Sequence, residues 1–310
     1  MLHVRLFGVT SVLDSTRVLG PADFGGLKPR RILEALALQR GHQVSKDRLA
    51  DVLWGDRPPP DHMATLESYV SLLRRRLQPG TPPRHSAIRT VSRGYLLDPA
   101  VARTDLDVFD ELMARADGRT DGSALRLLDR ASALASTDLL ASPDETPWAE
   151  PVRADYRERA VRAALRAGEM ALRDNDADSA ARLGGRALSL DLLCEAAWRL
   201  VMRAHVATGS RDAALRAYRS CRQLLSRDLG IEPAPETQAV LVDLVRGHHT
   251  APPEDDTVTN NADLGVVLDA ALVLFEQDRT GERVGRVDDA VKIMARLLKR
   301  ANGMASVPSR

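Results

Sequence analysis

The chain has 310 residues, 44% of them hydrophobic, and a formal net charge of +1. The length allows about two domains, and the apolar content argues against a disordered chain. No run of about 20 apolar residues occurs and the first residues lack a secretory signal, so we expect neither a membrane span nor export. The two cysteines, Cys194 and Cys221, cannot form the disulfide framework of a secreted domain, so we expect a cytoplasmic location.

The charge is unevenly distributed along the chain. Residues 1–100 contain 15 Lys and Arg against 9 Asp and Glu, a net charge of +6. Residues 101–310 contain 29 against 34, a net charge of −5. A basic segment followed by an acidic one indicates that the first part contacts nucleic acid.

The first 100 residues predict a winged helix-turn-helix. Short strands are expected within residues 1–25, where Leu2, Val4 and Leu6 recur at every second position. Three helices are predicted next, over residues 29–40, 46–54 and 62–77, the last two capped by Ser45 and Asp61. Residues 87–97 predict a hairpin. In such a layout the third helix enters the major groove and the hairpin forms the wing.

Residues 101–247 predict an all-α domain of tetratricopeptide-like helical repeats. Helices are expected at 105–117, 121–135, 149–173, 177–190, 193–208, 211–228 and 235–246. The similar triplets Asp178-Ser179-Ala180 and Asp212-Ala213-Ala214 are 34 residues apart, which is the period of tetratricopeptide helix pairs.

The remaining residues, 248–310, predict a linker and a helical extension. Residues 248–262 are polar and contain Pro-Pro, whereas 263–277 and 285–301 have helical spacing. We expect the two helices to pack on the repeat domain or to mediate self-association.

The third helix has the pattern of a DNA-reading element. One stripe is apolar and should face the core: Leu66, Val70, Leu73 and Leu77. The opposite side presents small or hydroxylated residues, one leucine and one arginine: Ala64, Thr65, Ser68, Ser71, Leu72 and Arg75. Hydroxyl groups can bond base edges, and leucine can touch a thymine methyl group. Three arginines at the far end can reach phosphates: Arg74, Arg75 and Arg76.

Two arginines flank the turn of the predicted wing. Arg89 and Arg93 would there contact phosphates or the minor groove, although Arg89 could instead cap the sheet edge. Glu67 is the single acidic residue between positions 62 and 97, against six arginines, so this segment carries a net positive charge. The alternative is a solvent-exposed helix with a basic end and no DNA partner.

The loop over residues 54–60 is stiffened by three prolines and joins the second and third helices. Trp54 is expected to pack into the core at a helix end. Asp56 and Arg57 are candidate contacts with another protein.

Several segments, in order, resemble one family. LKPRRILEALAL, VSKDRLADVLWGDRPP, ATLESYVSLLRRRLQPG and IRTVSRGYLL resemble the N-terminal domain of the Streptomyces antibiotic regulatory proteins. SRDAALRAYRSCRQLLSRDLGIEPAPE and the helical run before it resemble that family's bacterial transcriptional activator domain. The resemblance covers about residues 1–247 and implies an OmpR-type winged helix followed by a tetratricopeptide-like activator domain.

The resemblance also implies a function and its residues. Family members activate biosynthetic gene clusters in actinobacteria, bind tandem direct repeats near the −35 region as head-to-tail protomers, and recruit RNA polymerase. Residues of this chain implied to lie at DNA are Thr65, Ser68, Tyr69, Ser71, Leu72, Arg74 and Arg75 on the helix, and Thr90, Ser92 and Arg93 on the wing. The loop with Asp56, Arg57 and Pro58 would face polymerase, through the sigma factor or the alpha C-terminal domain.

Enzyme motifs are absent from the sequence. It contains no H-E-x-x-H, paired C-x-x-C, G-x-S-x-G or P-loop, so we expect no catalysis, cofactor or metal. We see no receiver domain and expect no phosphorylation switch within the chain. Two other functions stay open: an adaptor whose winged helix binds protein, and a DNA-binding repressor, since the sign of regulation depends on where the site lies.

Overall fold

Seven strands and ten α-helices occur in residues 1–14, 17–141 and 147–246, the part of the chain that the computed structural model describes. The strands are β1 (Leu2–Arg5), β2 (Ser11–Leu13), β3 (Val18–Leu19), β4 (Val44–Ser45), β5 (Ile88–Val91), β6 (Gly94–Leu97) and β7 (Ala102–Thr104). The helices are α1 (Leu27–Leu38), α2 (Lys46–Trp54), α3 (His62–Leu77), α4 (Asp105–Ala116), α5 (Gly122–Leu134), α6 (Glu150–Arg173), α7 (Ala177–Leu190), α8 (Glu195–Ala207), α9 (Arg211–Leu229) and α10 (Pro235–Arg246).

This order confirms the predicted fold class, a small winged-helix region followed by a helical domain. The chain divides into two compact units, the first ending at Leu192 and the second beginning at Leu193. The predicted linker at 248–262 and the predicted helices at 263–277 and 285–301 lie outside the described residues.

The first sheet has the strand order β3-β2-β1-β7. β1 pairs antiparallel with β2 and parallel with β7, with Leu2 opposite Ala102 and Val4 opposite Thr104. Leu2, Val4 and Leu6 are buried, as their alternation predicts. The short strand β7 was not predicted, because its partner lies about 100 residues away in sequence.

The second sheet, β4-β6-β5, lies beside helices α1 to α3 and completes the winged helix. The predicted N-cap of α2 is confirmed, since the Oγ of Ser45 accepts a hydrogen bond from the backbone N–H of Arg48 at 3.1 Å. The predicted side-chain cap at Asp61 is wrong. Asp61 has φ −96° and ψ 28°, not the extended backbone of a cap, and its carboxylate makes no capping hydrogen bond.

The start of α4 is joined to the end of β1. The Asp105 carboxylate accepts hydrogen bonds from the backbone N–H groups of Leu6, at 2.9 and 3.0 Å, and Phe7, at 2.9 Å. Residues after α5 return to the same place, where the Leu140 N–H donates to the Leu6 carbonyl at 2.7 Å. The Phe7 ring packs 5.7 Å from the ring of Phe109 on α4 and from that of Tyr156 on α6.

A charged cluster extends this contact to α1. The Asp110 carboxylate on α4 accepts hydrogen bonds from Arg40, which follows α1, and from Arg159 on α6. It also accepts one from the Tyr156 hydroxyl at 3.1 Å. Burial and the nearby Asp110 charge raise the pKa of Tyr156 to about 12. The winged helix and helices α4 to α7 therefore share one compact unit.

The second unit contains α8, α9 and α10. Its core includes Met202, Tyr218 and Leu241, one buried side chain from each helix. The Glu195 carboxylate at the start of α8 accepts hydrogen bonds from the N–H of Ala234 at 2.8 Å and the hydroxyl of Thr237 at 2.6 Å. These bonds fix the entry to α10.

The 34-residue repeat is visible in the helices themselves. Helix α7 begins at residue 177 and α9 at residue 211, so the two starts are 34 residues apart. Ala180 and Ala214 are both fully buried, as are Ala187 and Cys221. Burial raises the pKa of the Cys221 thiol to about 12, so it stays protonated at neutral pH, as expected for an inert core cysteine.

The stability of the first unit should depend on pH through Asp129. Burial raises the pKa of this α5 carboxyl, but hydrogen bonds from Arg182 and Arg186 on α7, at 2.7 to 3.0 Å, hold it below its ordinary value of 3.8. Because the folded pKa is depressed, the stabilisation is present above about pH 3.8 and is lost as the pH falls through the folded value.

We predict that Asp129→Asn lowers the free energy of unfolding by about 1 kcal/mol at neutral pH, a value reduced for partial exposure. In thermal melts at successively lower pH, the difference in melting temperature between the variant and the wild type should shrink below pH 3.8. Asp56→Asn, on the exposed Asp56 in the loop between α2 and α3, should match the wild type throughout. A deficit that stays constant with pH would contradict the proposed charge pairing.

Candidate nucleic-acid interface

The apolar stripe of α3 faces the core, as its spacing predicts. Leu66, Val70, Leu73 and Leu77 are each at most 1% exposed. The opposite side is open: Ser68, Ser71, Arg75 and Arg76 are exposed, and Thr65 is half-buried. This face therefore presents hydroxyl and guanidinium groups to solvent.

The predicted wing is a hairpin of β5 and β6. Val91 pairs with Gly94, so Ser92 and Arg93 form the exposed tip. Thr90 is exposed on β5. The Arg89 guanidinium lies 3.2 Å from the Asp98 carboxylate, which favours the alternative that Arg89 holds the end of the sheet.

Gly94 is where the wing meets β4. It pairs with Ser45, and a Cβ atom built on it would overlap the carbonyl oxygen of Val44. The Lys46 N–H also donates a hydrogen bond to the Arg93 carbonyl at 3.2 Å. The base of the wing is thus fixed by backbone contacts to the residues just before α2. Strand β4 was not predicted, because it has two residues and no alternating pattern.

Arg74 bridges α3 and the wing. Its Nε donates a hydrogen bond to the Ile88 carbonyl at 2.9 Å, and its Nη2 donates one to the Thr90 hydroxyl at 2.8 Å. The guanidinium carbon lies 5.9 Å from the centre of the Tyr95 ring on β6. Burial lowers the pKa of Arg74, whereas Arg75 and Arg76 are exposed.

The single acidic side chain of the α3 surface is paired. The Lys46 ammonium lies 2.6 Å from the Glu67 carboxylate, and this hydrogen bond raises the pKa of Lys46. Across the described residues, no carboxylate pairs with Arg75, Arg76 or Arg93. The exposed charge of this face is therefore positive.

Two residues expected at DNA contact the protein itself. Tyr69 is half-buried and packs against the core, in agreement with its position at the border of the apolar stripe. Leu72 is half-buried and packs over Gly25, where a Cβ atom would lie 2.6 Å from the leucine Cδ2. A DNA contact by either residue stays a prediction.

A contact that the sequence did not predict holds the far end of α3. Arg17 donates hydrogen bonds from its Nη2 to the carbonyls of Arg76 at 3.0 Å and Leu77 at 2.7 Å. These carbonyls belong to the unsatisfied last turn of the helix, where a cation is favourable. No sequence signal marks Arg17, because the contact joins residues about 60 positions apart.

The loop before α3 is open to solvent. Asp56, Arg57 and Pro58 are exposed. Trp54 is half-buried against the core, as expected, with the Lys28 ammonium 5.1 Å from its ring centre. The loop is therefore an accessible surface beginning at a fixed aromatic side chain.

Neither a metal-binding cluster nor a membrane-spanning helix occurs in the described ranges. No group of three or more His, Cys, Asp or Glu side chains that could hold a metal ion occurs there. None of the helices in those ranges combines the length and apolar character needed to cross a membrane.

Two family models match the chain in succession. The model for the C-terminal domain of transcriptional regulatory proteins matches residues 26–97, which contain α1 to α3 and the wing. The model for the bacterial transcriptional activator domain matches residues 104–244, which contain most of α4 to α10.

Similar proteins are regulators. Regulatory protein DnrI of Streptomyces peucetius is 28% identical over 229 residues, covering 68% of this chain and 81% of the relative. Transcriptional regulatory protein MoaR1 of Mycobacterium tuberculosis is 28% identical over 257 residues, covering 74% and 78%. A solved structure of Mycobacterium tuberculosis EmbR in complex with a low affinity phosphopeptide matches at 25% identity with a TM-score of 0.64, covering 92% of this chain and 73% of that one. These relatives are transcriptional regulators and not enzymes.

Substitution of Gly94 tests how the wing is held. We predict that Gly94→Ala lowers the free energy of unfolding by about 1–3 kcal/mol, because its methyl group must displace the β4 backbone. Gly185→Ala is the control, since Gly185 is exposed in α7 with open space around it. That variant should be more stable by about 0.5–1 kcal/mol. Urea unfolding measures both, and a neutral Gly94→Ala would contradict the close approach.

Proposed function

We propose a function from the premise that the chain belongs to the Streptomyces antibiotic regulatory protein family of transcriptional regulators. It is a sequence-specific activator that binds promoter DNA through α3 and the wing. Its targets are the genes of an antibiotic or other secondary-metabolite cluster. Residues 1–100 form the DNA-binding domain and residues 101–247 the activator domain.

The observation that carries this proposal is the exposed face of α3 beside the wing. Ser68 and Ser71 present hydroxyl groups that can donate to or accept from base edges in the major groove. The Ser68 hydroxyl also donates a hydrogen bond to the Ala64 carbonyl at 3.0 Å, which keeps it close to the helix. Small side chains of this kind allow the α3 backbone to approach the bases closely.

Phosphate contacts supply the affinity. Arg75 and Arg76 at the end of α3 and Arg93 at the wing tip are exposed cations without a carboxylate partner among the described residues. Such contacts are independent of sequence and orient the protein on the duplex. The Lys46–Glu67 pair removes the negative charge that would otherwise oppose them.

Tandem binding extends the reading surface. A single winged helix reads one short half-site, so two protomers on a direct repeat double the contacts and the specificity. We propose a head-to-tail homodimer on repeats near the −35 region. The bound protein then lies on the nucleoid in the cytoplasm.

The loop before α3 is the proposed contact with RNA polymerase. Asp56, Arg57 and Pro58 are exposed and carry both signs of charge. The proline-rich backbone keeps the loop extended, which lowers the entropy lost on binding. Its partner in the holoenzyme is the sigma factor or the alpha C-terminal domain.

Arg75→Ala tests the DNA-binding assignment. We predict weaker binding to every duplex and a decrease of about 0.9 in the slope of log K against log salt, the value for one lost phosphate contact. Fluorescence anisotropy with a mixed-sequence duplex of about 30 base pairs measures both. The control Arg162→Ala removes another exposed arginine, on α6, and should change neither. An unchanged slope in Arg75→Ala would refute the phosphate contact.

Arg57→Ala tests the polymerase contact. We predict that reporter transcription from a bound promoter falls about five-fold or more, the effect of one lost interface contact. Binding to the same promoter duplex should remain at the wild-type level. A loss of DNA affinity would instead place Arg57 in the DNA-binding surface. Transcription that rises when the whole gene is deleted would identify a repressor.

A further inference from the structure

We propose that Arg74 is a positioning residue, which fixes the wing relative to α3, and that it does not itself bind a phosphate. The inference rests on the proposed DNA-binding function and assigns different roles to three consecutive arginines. It starts from the direction of each side chain. Neighbouring residues on an α-helix are separated by about 100° around its axis, so Arg74, Arg75 and Arg76 cannot all face the same partner.

Two of the five N–H donors of Arg74 bind one wing strand. Its Nε and Nη2 donate to the Ile88 carbonyl and the Thr90 hydroxyl at 2.9 and 2.8 Å. Both acceptors lie on β5, two residues apart, and the rigid plane of the guanidinium fixes their direction relative to α3. A lysine has one flexible ammonium group and cannot reproduce this two-point contact.

The ring of Tyr95 completes the connection to the second wing strand. Tyr95 lies on β6, is 4% exposed, and has the Arg74 guanidinium carbon 5.9 Å from its ring centre. The Lys46 ammonium lies 6.0 Å from the same ring and is also bonded to Glu67 on α3. Two cations from the α2–α3 side thus meet one aromatic ring of the wing.

The geometry sets where the wing tip lies. Ser92 and Arg93 are exposed, and the tip is two residues beyond the Thr90 hydroxyl that Arg74 holds. When this contact is lost, the tip is no longer fixed relative to the α3 face, and DNA binding must pay the cost of ordering it.

A matched pair of lysine variants separates the two roles. In Arg75→Lys, the ammonium still serves a phosphate as a point charge, so we expect affinity within about two-fold of the wild type. In Arg74→Lys, we expect about ten-fold weaker binding, as in Arg74→Ala. This factor corresponds to the loss of one charge-assisted hydrogen bond. Anisotropy with a mixed-sequence duplex at a temperature well below each melting temperature measures all four proteins.

Thr90 provides the second arm. Thr90→Val removes the acceptor without changing the charge and should weaken binding, whereas Thr90→Ser keeps the hydroxyl and should bind like the wild type. The double variant Arg74→Ala/Thr90→Val should bind no more weakly than the weaker single variant, because both remove the same contact. If Arg74→Ala fails to fold, the Arg74→Lys and Thr90→Val variants still decide the question.

Amide hydrogen exchange gives a readout without DNA. In Arg74→Ala we expect faster exchange confined to residues 88–97, and in Arg75→Ala we expect none. Full affinity of Arg74→Lys, additive losses in the double variant, or unchanged wing exchange would each overturn the inference. A wild-type protein that forms no salt-dependent complex would instead refute the proposed function, while the exchange result would still decide the role of Arg74.

Discussion

One carboxylate connects the two ends of the winged-helix region. Asp105 opens α4 directly after β7, and its oxygens accept hydrogen bonds from the backbone N–H groups that follow β1. Parallel pairing of β1 with β7 brings it there, because residue 104 lies opposite Val4. Burial raises the pKa of Asp105 and the bonds from Phe7 and Leu6 oppose that rise. The first helix of the region matched by the activator-domain model, α4, is therefore anchored to the first strand, β1.

This anchor explains why the compact units do not follow the two matched family models. The Phe7, Phe109 and Tyr156 rings and the Asp110 cluster continue the contact from β1 through α4 to α6. The winged helix and helices α4 to α6 consequently share a core, and the division at residues 192 and 193 lies inside the region matched by the activator-domain model. The winged helix and helices α4 to α7 therefore lie in one compact unit.

The sequence predicted features that depend on local patterns, but not contacts between distant segments of the chain. The helices agree with prediction within a few residues, because periodicity and caps such as Ser45 are local. The apolar stripe of α3 was predicted for the same reason. The bridge from Arg74 to Thr90 was not, nor was the packing of Leu72 over Gly25, because both depend on which segment folds back against α3. The spacing of apolar residues shows which side of a helix faces outward. It does not show which side chains of another segment will contact that side.

The pairing of Ser45 with Gly94 divides positions that cannot accept another side chain from positions that can. Ser45 is both the strand partner of the wing and the cap of α2, and Gly94 has no space for a side chain. Ser92 and Arg93, two residues and one residue before Gly94, are exposed and carry no such constraint. Under the proposed function, the tip and α3 surface residues are therefore the positions where substitutions would change the operator while the scaffold stays intact. The same division would make this domain a frame for redirecting a regulator to a chosen promoter.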